Sequence, residues 1–399
     1  MLFFKFFLKR SDILEVAGII AEFNPLHTGH KYLIDAAKKQ GAVAVALSGN
    51  FVQRGDVAVA DKYVRTRAAL MCGADIVAEI PVSYAMSTAQ NFALGGVSVL
   101  KALMCGSLMF GSECGSAEEL ERAADALCGS DYGSRLKCEL AAGVTFAAAR
   151  ERAAGLENGI LSNANNNLAV EYITAARALG ADMKFLTVKR QGAGHDSADA
   201  ENGFASASLL REKLIGGDRE FCRRYIPENV FPLFGFGGIA DIKRIDRAIL
   251  AVLRLKTPED FKKLPDISEG IENKLFSAIR VASSTEELYN TVKVKRYTMA
   301  RIRRLALSLF LGIDDSLFMK QPPYVRILGF NRRGEELLRQ CAPKSEIPIV
   351  TRVSQIERLG DGAKRLFAAE CRASDMFGLA LPVPRPCGSE YTAKIIKTE

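Results

Sequence analysis

Residues Val16–Gly41 read VAGIIAEFNPLHTGHKYLIDAAKKQG. VAGIIAEF is a short apolar run rich in β-branched residues, the pattern of a strand buried on both faces. TGHKYLIDAAKKQG is an amphipathic helix closed by Gly41. Between them, Pro25 fixes a turn, Thr28 is the candidate N-cap, and Gly29 lets the backbone approach a ligand closely. His27 and His30 are two of only three histidines in the chain. Free N–H groups and the helix dipole attract phosphate to such a helix start. Two imidazoles there add donors for a phosphate that gains negative charge in a displacement.

The same alternation continues outward. AVAVALSG, ADIVAEIP, SLMFGSE and ADMKFLTVKR read as further strands. DKYVRTRAALMCG and TAQNFALGGVSVLKALMCG read as helices, and SAEELERAADAL as one opened by a capping box of Ser116 and Glu119. Continuous apolar strands alternating with helices predict an α/β fold, a Rossmann-like parallel sheet covered on both faces. Its ligand belongs outside the carboxyl ends of the strands, where the two histidines fall. Beyond Gly216 strand-like runs become rare and charged helical segments dominate. The expected organisation is an N-terminal extension at 1–14, a catalytic domain at 15–216 and a mainly helical domain at 217–399.

A chain of 399 residues suits two or three domains and can bury a sizeable core. The net charge of +8 favours a polyanionic partner, nucleic acid first. Nine cysteines occur, none in a CxxC pair and none beside a histidine at zinc-ligand spacing. That indicates reduced, mostly buried thiols in a cytoplasmic protein without a zinc site. MLFFKFFLKR at the N-terminus is too short for a membrane span and lacks a cleavage site. It either packs on the body or precedes the true start of translation. No membrane association and no stable protein partner are indicated.

Other stretches share the predicted sheet edge. SGNFVQRGD follows the second strand, and its Gln53 and Arg54 could meet an anion or a base. Lys62, Arg65 and Arg67 mark either a binding surface or a solvated helix face. Gly111, in FGSE at the end of the fourth strand, permits close approach of an adenine or ribose. Asn165 or Asn166 is an N-cap, a ligand contact or both. Arg190 ends a strand and could clamp a phosphate with its fork of donors. Ser206 and Ser208, with Arg211 one turn on, form either a second phosphate cradle or a plain serine cap with a surface arginine. KVKRYTMARIRR carries six basic residues and no acidic one. Lys295, Arg296, Arg301, Arg303 and Arg304 within it suit a phosphate backbone, or a solvated face.

An HxGH after the first strand resembles the signature of the adenylyl-transferring superfamily that includes nucleotidyltransferases and class I aminoacyl-tRNA synthetases. GIIAEFNPLHTGH, SGNFVQRGD, DKYVRTRAAL, FGSE, NNNLAVEY, KRQGAGHD, SASLLR, PYVRILGFN and ASDMF together resemble one family within it, the bacterial tRNA(Met) cytidine acetate ligases. They span nearly the whole chain. The resemblance implies ATP-dependent activation of acetate as acetyl-adenylate. It further implies transfer of the acetyl group to N4 of the wobble cytidine of elongator tRNA(Met), with Mg²⁺ accompanying ATP. It assigns the ATP loop to Ile20, Ala21, Glu22, Phe23, Asn24, Pro25, Leu26, His27, Thr28, Gly29, His30, Lys31, Tyr32 and Leu33. Further nucleotide contacts fall on Gly111, Asn165, Asn166 and Arg190. His27, His30 and Arg190 are the expected catalytic set.

This chain departs from the family where Tyr63 replaces a common tryptophan, and where Ala164, Ala169 and Leu209 replace a proline, a glycine and a small residue. Two other functions remain: an adenylyltransferase for a small phosphorylated metabolite, and an ATP-binding RNA-binding protein without ligase activity.

Overall fold

The structure, a computed structural model, describes residues 14–144, 146–156, 159–190, 205–268 and 270–399. The 1–14 extension, apart from Leu14, and His195 lie outside the described residues.

The strands are β1 (Val16–Ala21), β2 (Ala42–Ser48), β3 (Phe51–Val52), β4 (Asp56–Val57), β5 (Ile76–Ile80), β6 (Ser107–Ser112), β7 (Lys184–Lys189), β8 (Val325–Phe330), β9 (Ile349–Val350) and β10 (Ile396–Lys397). The main sheet runs β10-β8-β5-β2-β1-β6-β7, with β9 beside β8. β5, β2, β1, β6 and β7 are mutually parallel. β8 joins β5 antiparallel. β3 and β4 form a separate hairpin.

The period-2 alternation of a strand sorts each apolar run between two cores. Val16 and Ile20 of β1 face one core, under the helices Ala89–Ala102, Ala117–Leu127 and Ala164–Ala178. Ala17, Ile19 and Ala21 face the other, under α1 (Thr28–Lys38), α2 (Lys62–Met71) and the helix Ala207–Ile215. A Cβ on Gly96 would lie 2.8 Å from the Ile20 side chain, so glycine there lets helix Ala89–Ala102 lie close on β1. The chain crosses from the β2–β5 side to β6 between β1 and β6. The carboxyl ends of those two strands are therefore the switch point at which such sheets bind ligands.

The division at 216 needs correction. β8, β9 and β10 come from the predicted helical half yet lie in the main sheet. Cys222, Ile226, Val230 and Phe234 also pack into the α1–α2 core. A helical body does exist: Ile249, Leu275, Leu288 and Leu305 share one core with Phe377. It also takes in Phe51 and Val57 of the β3–β4 hairpin, so sheet and helical body meet through that hairpin.

Two smaller expectations change. Ser116 caps its helix by accepting from Glu119 N and donates its hydroxyl to Glu118, but the Glu119 side chain does not return a bond to Ser116 N, so only half of the expected box forms. All nine cysteines are free, yet Cys128, Cys138 and Cys387 are exposed. No helix of the described residues is long and apolar enough to cross a membrane.

Candidate active site

At the switch point, β1 leads into Asn24-Pro25, a cis peptide, and then into α1. His27, not Thr28, is the N-cap. Its Nδ1 accepts the Gly29 N–H at 3.1 Å, while His30 Nδ1 accepts the His27 N–H at 3.4 Å. The two side chains thus make a reciprocal capping box, with rings stacked at a centroid distance of 3.8 Å. Phe23 meets His30 edge-on at 5.0 Å. A nitrogen that accepts from N–H carries no proton, so each neutral ring holds its proton on Nε2. Both histidines are thereby set as donors beside a helix start, the polarity a triphosphate needs.

The histidines open onto a cavity of ≈ 390 Å³. That suits a nucleotide-sized ligand. From the predicted ATP loop, Ile20, Ala21, Glu22, Phe23, Asn24 and both histidines line it, with Gly29, Tyr32 and Leu33. Pro25, Leu26, Thr28 and Lys31 do not. Leu26 is fully buried, Thr28 N donates to Tyr225 O at 2.8 Å, and Lys31 pairs with Asp35. Gly111 and Arg190 face each other across the rim, where a Cβ on Gly111 would sit 3.4 Å from the Arg190 side chain. Ser208, Arg211, Gln53 and Arg54 are further predicted residues that reach the cavity, as do Asn165 and Arg303.

The two asparagines separate. Asn165 lines the cavity. Asn166 is buried, and its Oδ1 accepts from Glu113 N and Cys114 N. Neither is the N-cap. The Glu113 carboxylate accepts from the N–H groups of Asn165 and Asn166 and so closes the start of helix Ala164–Ala178. Ser206 is buried and caps the helix, accepting from Leu209 N. Ser208 instead takes a hydrogen bond from Arg211, which also donates to Asn24 O at 2.9 Å. The α1 loop and the helix Ala207–Ile215 are thus joined at the cavity.

Lys62 and Arg65 are not an RNA surface; both are fully buried. Arg65 donates to the carbonyls of Ala60, Glu22, Ser48 and Gly49, so one guanidinium holds the ends of β1 and β2 in place. Burial lowers its pKa to about 10, against the pull of Asp61. Lys62 pairs with Glu79 and Glu390. A buried charge needs such partners, and charge periodicity does not reveal them.

The basic run divides as well. Lys295 and Arg296 are exposed. Arg301 and Arg304 pair with Asp266, and Arg304 also donates to Gln53 O. Arg303 lines the cavity, so the helix Met299–Leu311 of the helical body supplies part of this site.

Several cavity-lining residues escaped the sequence reading. Asp56 lines the cavity, and burial raises its pKa while Arg211 and Arg303 oppose the rise. Leu168 and Tyr172 line it from the same helix as Asn165, at spacings of one and two turns that mark one helical face. Among the described residues, no cluster of three or more His, Cys, Asp or Glu side chains could hold a metal ion.

A doubly wound sheet whose first βα turn carries stacked HxGH histidines at a nucleotide-sized cavity defines a nucleotidyltransferase-type fold, and residues 14–390 match the family HIGH Nucleotidyl Transferase. A tRNA(Met) cytidine acetate ligase of Thermoanaerobacter sp. (strain X514) is 37% identical over 96% of this chain and 99% of its own length. That of Acetivibrio thermocellus is 33% identical over 96% and 100%. The crystal structure of apo Thermotoga maritima TmcAL superposes with a TM-score of 0.90 at 30% identity, covering 96% of this chain and 99% of that one. The same protein bound with alpha-thio ATP gives 0.88 over the same coverage. The chain belongs to the tRNA(Met) cytidine acetate ligase family of HIGH nucleotidyl transferases.

Proposed function

We propose that this protein uses ATP to activate acetate as acetyl-adenylate and passes the acetyl group to N4 of the wobble cytidine of elongator tRNA(Met). The observation that carries this reading is the His27–His30 capping box at the mouth of the cavity. It presents two Nε2–H donors beside a helix N-terminus, a receptor for a triphosphate. Acetate attacks the α-phosphate, and pyrophosphate leaves. The chain's part is positioning and charge stabilisation by His27, His30 and Arg190. Arg54, Arg211 and Arg303 add positive charge around the same cavity. Gly111 and Asn165 border the nucleotide.

The described residues supply no resident metal cage. A Mg²⁺ ion accompanying ATP would neutralise triphosphate charge beside His27, His30 and Arg190. The tRNA approaches from the helical body, whose Lys295 and Arg296 are open to a phosphate backbone while Arg303 reaches inward. As an enzyme acting on tRNA, the protein works in the cytoplasm.

The test is isotope exchange between pyrophosphate and ATP. Exchange that requires acetate supports the reading. Exchange that ignores acetate but requires a phosphorylated metabolite assigns the protein to small-molecule adenylyl transfer instead.

A further inference from the structure

Acetyl transfer from an adenylate to a cytidine amine releases a proton, and the cavity must provide for it. The N4 lone pair is delocalised into the ring, so the amine is a poor nucleophile. A positioned base is worth about 10²–10⁴-fold in such a step. Both histidines are excluded as neutral bases, because each Nδ1 already accepts a backbone N–H and Nε2 holds the proton. Tyr172 is excluded because burial raises its pKa well above the usual phenol value, with the Glu22 charge adding to the rise, so no phenolate forms to act as a base. Asp56 accepts from Val57 N and stands in the field of Arg211 and Arg303.

Glu22 remains. It ends the β1 strand turn, lines the cavity and is half-buried. Among the described residues its carboxylate has one hydrogen-bond partner, Gln53 N at 2.8 Å to Oε1, and no ion-pair partner. Arg65 feels its charge but is committed to four backbone carbonyls, one of them Glu22's own. A carboxylate without an ion-pair partner among the described residues, in a cavity built for anions, works against ATP and acetate alike. It is useful to a substrate group that donates hydrogen bonds, and carboxylates accept from cytosine N4 in nucleic-acid recognition.

We propose that Glu22 receives the cytidine 4-amino group and accepts its proton, a role that rests on the function proposed above. N4 attacks the acetyl carbonyl carbon and the C–N bond forms. The bond from that carbon to the AMP phosphate oxygen breaks, AMP leaves with the electron pair, and the N4 proton passes to the Glu22 carboxylate. The Gln53 N–H fixes Oε1, so Oε2 is the oxygen assigned to the amine.

The experiment counts AMP released per acetylcytidine formed, with ATP, labelled acetate and tRNA(Met), in the wild type and in Glu22→Gln. The amide keeps the acceptor for Gln53 N–H and cannot take the proton. Thermal unfolding is measured alongside, and Glu22→Asp serves as a second variant that keeps the base at shorter reach. The wild type is expected near one AMP per acetylcytidine. Glu22→Gln is expected to raise the ratio at least ~30-fold, because adenylate that cannot transfer is lost to water. Glu22→Asp is expected to fall between the two. A ratio unchanged in Glu22→Gln overturns the proposal, whether both products fall together or neither falls. The first of these results would assign Glu22 to ATP or its metal, the second to neither step. If the wild type forms acetyl-adenylate but no acetylcytidine, the acceptor reading itself fails, and Glu22's role with it.

Discussion

Lys62 on α2 places its ammonium 2.7 Å from a carboxylate oxygen of Glu390, and 2.5 Å from Glu79 on β5. Arg326 on β8 pairs with the other Glu390 oxygen. Two buried cations and two buried carboxylates thus tie the first half of the sheet to the strand and tail that return from the far end of the sequence. The loop above them is held from the same cluster. Asn50 Oδ1 accepts Lys62 N, and its Nδ2 donates to Ser374, whose hydroxyl donates to Glu390.

Removing one member leaves an unpaired buried charge. Glu390→Ala and Lys62→Ala are each expected to cost about 3–5 kcal/mol. Lys62→Met with Glu390→Gln is expected to recover part of that loss. Chemical denaturation of the three variants measures it, and a double variant no more stable than either single one would contradict a coupled pair.

The cluster also sets an acid response. Burial would raise the Glu390 pKa, but Lys62 and Arg326 outweigh it and hold it at about 2. Its contribution is therefore complete above the unfolded value of about 4.3 and is lost as pH falls toward 2. Glu370 is the opposite case: burial, then the charge of Glu79, push its carboxyl well up. Its contribution is complete below about 4.3 and declines as pH rises. Melting curves from pH 2 to 8 should show Glu390→Gln flattening the acid limb. Glu370→Gln, which keeps the acceptor for Val82 N–H, should match the wild type at pH 4 and gain on it above that.

The capping histidines have separable duties. His30→Ala is expected to lower adenylate formation about 10²–10³-fold, the scale of removing one preorganised donor. His27→Ala should do the same and cost about 1 kcal/mol of stability for the lost cap. His27→Asn restores an acceptor for Gly29 N–H without a donor at the position of Nε2, so it should recover stability and not activity. Recovery of both would contradict the donor role.

The basic run should divide by substrate. Arg303→Ala is expected to raise KM for ATP, since Arg303 lines the cavity. Lys295→Ala with Arg296→Ala should raise KM for tRNA alone and lower the salt slope of tRNA binding by about 2. Steady-state kinetics at two salt concentrations separates the two outcomes.

The strands β1, β2, β5 and β6 and the start of α1 were legible because each is a local pattern, a continuous apolar run and then a turn into a helix, although the cap itself is His27 rather than the expected Thr28. β8 was not, because VRILGF is a six-residue run within a charged helical region, and its partner β5 lies far back in the sequence. Lys62 and Arg65 share a helix face and read as either a binding surface or a solvated face, and only the partners at 79, 390 and the carbonyls of distant loops explain their burial. Asn166 was visible as a special residue but not as a partner of Glu113, since that contact forms only when the sheet brings β6 to the helix Ala164–Ala178. The cavity's polar half was thus readable in the motifs. Its other contributors, Asp56, Tyr172 and Arg303, depend on packing between elements.

The most direct measurement supplies ATP, acetate labelled in its carbonyl carbon and elongator tRNA(Met), then digests the tRNA and identifies the labelled nucleoside. Label in N4-acetylcytidine at the wobble position, dependent on ATP and on acetate and lost with His30→Ala, is the predicted result. Unlabelled tRNA alongside acetate-independent ATP turnover, or acetylcytidine formed without ATP, would contradict it.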